Sequence, residues 1–93
     1  MVKVNKIEKT INQGIEQFNK YHNPEVHAEL ANTDKEFAII RFRGPACAGS
    51  ETYDYFEDLR IEVENATGKP FEILKIDEDG NNFLVKFDLK WHK

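Results

Sequence analysis

Apolar residues recur along the chain with two different periods, and the switches between them divide it into elements. Ile7, Ile11, Ile15, Phe18 and His22 fall at three- and four-residue steps, the spacing of one helix face. Asn5-Lys6-Ile7-Glu8 has the form of a capping box before it, and Asn23-Pro24 ends it, because a residue before proline avoids helical backbone angles. The spacing predicts a helix over about 5–22. Glu25 to Leu30 then alternates, with Val26, Ala28 and Leu30 on one side, which predicts a half-buried strand. Asn32-Thr33-Asp34 is read as the turn that follows. Glu36 to Arg43 alternates again, with Ala38, Ile40 and Phe42 opposed to Phe37, Ile39, Arg41 and Arg43.

Small residues replace this run in Gly44-Pro45-Ala46-Cys47-Ala48-Gly49-Ser50, a loop. Ser50 is a natural N-cap for a second helix over about 51–66, whose apolar stripe is Phe56, Leu59, Val63 and Ala66. Thr67-Gly68-Lys69-Pro70 stops it with glycine and then proline. Phe71 to Ile76 reads as a third strand and Asp79-Gly80 as a hairpin turn. Phe83, Val85, Phe87, Leu89 and Trp91 then alternate without a break against Leu84, Lys86, Asp88 and Lys90. The element order is α-β-β-α-β-β. Each hairpin must bury an apolar face, and two helices supply the cover. The expected fold is α+β: a two-layer α-β-β-α-β-β sandwich with one four-stranded sheet and both helices on one face. A crossover through the second helix leaves a gap that the last strand can fill, which gives strand order 1-2-4-3; order 1-2-3-4 is the alternative.

Composition narrows the class. The chain has 93 residues, 40% of them apolar, which suits a single domain over 1–93 with one core. The 13 basic and 17 acidic residues give a net charge of −4 and speak against a nucleic-acid binder. No apolar run is long enough for a membrane span or a signal peptide, so a cytoplasmic protein is expected. The charge is uneven: residues 1–46 hold 7 basic and 6 acidic side chains (net +1), and residues 47–93 hold 6 and 11 (net −5). The acidic excess reads as solvated surface or as a docking face for a basic partner.

Candidate chemistry is sparse. The single cysteine excludes an intramolecular disulfide. His22 and His27 have no metal-ligand spacing, and His22 is read as pairing with carbonyls at its helix end. Asp77-Glu78-Asp79-Gly80-Asn81-Asn82 lacks the glycine and glutamate positions of a calcium loop and reads as a turn. No phosphate loop, dinucleotide fingerprint or nucleophile elbow occurs, and Ser50 is the only serine, so a nucleophilic triad has no support; the balance leans away from an enzyme without deciding it.

Two regions remain as candidate sites. The first is the loop with Gly44, Cys47, Gly49 and Ser50. Glycines allow close backbone approach, and a helix start favours thiolate, whereas Glu51 and Asp54 oppose it. These effects nearly cancel, so Cys47 is expected to titrate as an ordinary thiol and to tolerate replacement by serine. Arg41-Phe42-Arg43-Gly44-Pro45-Ala46-Cys47-Ala48-Gly49-Ser50, following a helix and a hairpin and leading into a helix, resembles the C-terminal domain of NifU-type iron–sulfur scaffold proteins. The resemblance covers about residues 5–77 in element order. It implies an iron–sulfur cluster held or transferred through Cys47, which matches the family's first cysteine. Ser50 stands at the place of the second, and Pro45 is an insertion. Cys47-Ala48-Gly49-Ser50 also has the spacing of a monothiol redox motif, without the βαβ context such motifs use. Apart from that resemblance no cofactor is expected.

The second region is the sheet face turned away from the helices. If Leu74, Ile76 and the Phe83–Trp91 series lie under the helices, the other face shows Phe37, Ile39, Phe71 and Ile73 beside Arg41, Arg43, Lys75, Lys86 and Lys90. An apolar patch with a basic rim marks a contact surface for a protein partner or for self-association. Open sheets with aromatic and basic residues also stack single-stranded RNA, which the acidic balance disfavours. The leading expectation is a small non-catalytic interaction or assembly module using this face. A thiol-loop protein working through Cys47 is the alternative.

Overall fold

The structure, a computed structural model, describes residues 6–34, 36–48 and 52–89. Its elements are α1 (Lys6–His22), β1 (His27–Thr33), β2 (Phe37–Arg43), a 3-10 turn (Pro45–Ala48), α2 (Thr52–Thr67), β3 (Glu72–Asp79) and β4 (Asn82–Asp88). The strands form one antiparallel sheet in the order β1-β2-β4-β3. The fold is therefore the α+β sandwich that the periodicity predicts, with the last strand between β2 and β3.

Both helices cover the same sheet face, because one cluster joins their apolar stripes to it. Ile11, Ile15 and Phe18 of α1 and Phe56, Leu59 and Val63 of α2 are buried with Ala28, Ala38, Ile40, Phe42, Val85 and Phe87 from the strands. Phe42 meets Phe18 edge-on and tilts against Phe56 at 4.7 Å between centroids. The helices cross closely at Gly14, where a Cβ atom would lie 2.7 Å from the Val63 Cα.

Local chemistry ends the elements. The Gly68 N–H donates to the Glu64 carbonyl at 2.7 Å, and its φ of +72° is the left-handed cap that glycine supplies. Glu64 Oε2 then accepts the Phe71 N–H at 2.9 Å and fixes the entry to β3. Asp79 pairs with Asn82, leaving Gly80 and Asn81 as a two-residue turn with positive φ only at Gly80, the pattern of type II′. The Asn19 side chain closes the outer side of β1: its Nδ2 donates to the Ala28 carbonyl, and its Oδ1 accepts the Ala28 N–H, both at 2.8 Å.

The strands depart from uninterrupted alternation at two places. Leu30 pairs with Ile40 and Asn32 with Ile39, so Ala31 is an extra residue and β1 runs on to Thr33 through the expected turn. In β3, Ile73 pairs with Phe87 and Lys75 with Lys86, so Leu74 is extra. These are β-bulges, and each reverses which parity faces the core. The expected faces of β3 are thereby corrected. Phe71 is fully buried just before the strand and stacks on Phe87 at 4.3 Å and 7°, and Ile73 packs against the core, while the extra residue Leu74 is 53% exposed; Ile76 lies opposite Val85 on the helix side, as expected, at its exposed margin. The Asn5 cap, Gly49, Ser50, Glu51, Lys90 and Trp91 lie outside the described residues.

Candidate functional site

The loop after β2 is built for packing. Gly44 has φ +131°, and a Cβ there would come within 2.5 Å of the Glu25 carbonyl oxygen, so glycine is required by the chain segment beside it. The Cys47 N–H donates to the Gly44 carbonyl at 3.0 Å and closes the 3-10 turn. That turn delivers the Cys47 side chain into the core, where it is 5% exposed. Burial pushes its thiol above the ordinary value, because charge is disfavoured away from water. The sequence expectation of an ordinary, exposed loop thiol is corrected on this point: the side chain is buried, and burial raises its pKa. An iron–sulfur cluster takes four thiolate ligands, and one buried, neutral-favouring thiol does not supply that set. Gly49 and Ser50 of the same candidate loop lie outside the described residues.

The two described histidines pack or pair locally. His22 stacks on Phe18 of its own helix at 4.3 Å and edge-on to Tyr55 of α2, and its charged neighbour is Asp58 of α2, with Nε2 3.7 Å from Oδ2. His27 Nδ1 meets Asn23 Oδ1 at 3.1 Å. Among the described residues no three His, Cys, Asp or Glu side chains gather as a metal set, and no helix is long and apolar enough to cross a membrane.

The open sheet face carries the denser constellation. Cross-strand register places its residues in rows. Phe37 of β2 lies beside Asp88 of β4 and then Glu72 of β3. Ile39 has Asn32 on one side and Lys86, then Lys75, on the other. Arg41 has Glu29 on one side and Leu84, then Asp77, on the other. Arg43 is opposite His27. Phe37, Ile39, Arg41, Leu84 and Lys86 are half-buried by one another on a face that no described element covers. Lys75 and Lys86 are paired like charges, and each turns aside. Lys86 Nζ sits 4.2 Å above the Phe37 ring centroid, a cation–π contact, and Lys75 Nζ lies 3.7 Å from Asp77 Oδ2. Glu29 turns from Arg41 to Arg43 and forms an ion pair with it, Oε1 to Nε 3.2 Å. Arg41 Nε is left shielded from water with no acceptor among the described residues.

Of the expected face residues, the structure brings together Phe37, Ile39, Arg41, Arg43, Lys75 and Lys86; Phe71 and Ile73 are on the helix side. It adds Leu84, a missed apolar member whose place in the Phe83–Val85 alternation already sets it on this face, and Asp77, which the bulge brings beside it. No family model, curated protein or solved structure matches the chain.

Proposed function

We propose that the protein is a non-catalytic interaction module that binds a protein partner through the open face of its sheet. The observation that carries this reading is the centre of that face: Ile39, Leu84 and Phe37 around a guanidinium whose Nε–H has no acceptor among the described residues. A solvent-facing sheet is ordinarily polar, and a buried donor without a partner costs free energy that a bound acceptor recovers. Both sheet edges carry bulges, which discourage strand addition and leave the face as the surface for contact.

The test is selection of peptides from a displayed random library against the full chain, with Ile39→Asp and Leu84→Lys proteins as counter-probes. Selected peptides are expected to bind the native chain and to lose both variants, while each variant keeps its urea midpoint to within about 0.5 kcal/mol of stability. Peptides that bind all three proteins equally would move the site off the sheet and overturn the reading.

A further inference from the structure

We infer that the partner of this face is a second copy of the chain, docked about a two-fold axis so that Arg41 of each copy meets Asp77 of the other. This rests on the proposed use of the open face and names its occupant. The charge asymmetry of the sequence becomes a lateral asymmetry of the sheet. β1 and β2 carry Arg41 and Arg43 against Glu29, net +1, whereas β3 and β4 carry Glu72, Asp77, Glu78, Asp79 and Asp88 against Lys75 and Lys86, net −3. Arg41, Leu84 and Asp77 occupy one row on successive strands β2, β4 and β3. Neighbouring strands lie about 4.8 Å apart, so Arg41 and Asp77 stand on columns roughly 10 Å apart with Leu84 midway.

A two-fold axis parallel to the strands and passing over β4 exchanges the β2 and β3 columns and keeps the rows. It sets Leu84 against Leu84 of the second copy at the centre. It sets Arg41 above Asp77 on one side and Asp77 below Arg41 on the other. Two residues along each strand, Arg43 stands toward Asp79 in the same way. Stacked sheets are about 10 Å apart, a gap that an arginine spans. The like charges that this axis brings together are Lys86 and Asp88 of β4, and Lys86 is already drawn toward β2 by the Phe37 ring. The Arg41 guanidinium, whose Nε has no acceptor among the described residues, gains a carboxylate. The contact is self-complementary and closes at two copies.

Sedimentation equilibrium of the full chain from about 10 µM to about 1 mM tests this. The native chain is expected to dimerise, more weakly at high salt. Arg41→Asp and Asp77→Arg should each weaken the dimer by about tenfold or more, since like charges then face each other. Mixing the two variants restores both cross-pairs, so the mixture should dimerise about as the native chain does, and so should the doubly exchanged chain. Circular dichroism and urea midpoints check that every variant is folded. A native chain that stays monomeric while still selecting peptides sensitive to Ile39→Asp overturns the second-copy inference and leaves the face reading standing. A dimer indifferent to both charge changes but lost with Ile39→Asp overturns the Arg41–Asp77 docking alone. A dimer indifferent to all three overturns both.

Discussion

With its side chain inside the core, Cys47 favours the neutral thiol, and its pKa in the folded chain lies above that of an exposed thiol. The folded state therefore holds this proton more tightly. The stability linked to it is complete below about pH 9 and falls as pH rises through the folded pKa. The urea midpoint of the native chain, compared with Cys47→Ala, should decline more steeply above pH 9; parallel profiles would show that the thiol ionises freely. Alkylation should run slower than for a free thiol, and Cys47→Ser should cost about 1–3 kcal/mol by placing a hydroxyl among apolar groups. Sequence could not show this burial, because a run of small residues has no period from which to read a face. Phe87 is the opposite case. Its place in the alternating Phe83–Leu89 series predicts a core position, and it is fully buried against Phe71. Phe87→Ala should lower the unfolding free energy by about 3–5 kcal/mol.

At the scale of elements, the legible parts are those without interruption. The α1 stripe and the β4 alternation keep one period from end to end, and both point inward as expected. The chain entering and forming β3 carries apolar residues at 71, 73, 74 and 76, filling both parities, which no straight strand can bury on one side. That double filling was the sequence signal of the bulge at Leu74, and reading through it placed Phe71 and Ile73 on the wrong face. The helix pair has its own hidden constraint at Gly14. Alanine there is favoured by intrinsic propensity by about 1 kcal/mol, yet its Cβ would meet the Val63 Cα at 2.7 Å and push α1 from α2. Gly14→Ala should therefore be destabilising by about 1–3 kcal/mol in urea titration, with the loss arising from overpacking. Gly68→Ala makes no new contact, but the φ of +72° should cost it about 1 kcal/mol.

For the molecule as a whole, the strand order followed from connectivity: a helix crossover leaves room between β2 and β3, and β4 takes it through a two-residue turn. The site was legible only in part, since its central columns obey alternation while its β3 column is displaced by one residue. The same displacement bends an edge that would otherwise run straight. Deleting Leu74 keeps Ile73 opposite Phe87 and brings Lys75 directly after it opposite Lys86, so the chain should still fold with its core intact. The straightened edge should then pair with other molecules, read as light scattering on heating that the native chain does not show at equal concentration. A deletion variant that folds and stays as soluble as the native chain would mean that the acidic side chains of β3 protect the edge without the bulge.

The double hydrogen bond between Asn19 and Ala28 has a consequence in time as well as in space. An edge strand ordinarily opens by itself, in small and frequent excursions, ahead of the rest of a domain. Here the Ala28 peptide cannot be released without breaking a bond to the helix whose apolar face lies in the core. The first strand and the first helix thus share one opening event. Amide exchange at Ala28 should be as slow as exchange in the middle of α1, and Asn19→Ala should accelerate it far more than it accelerates the helix.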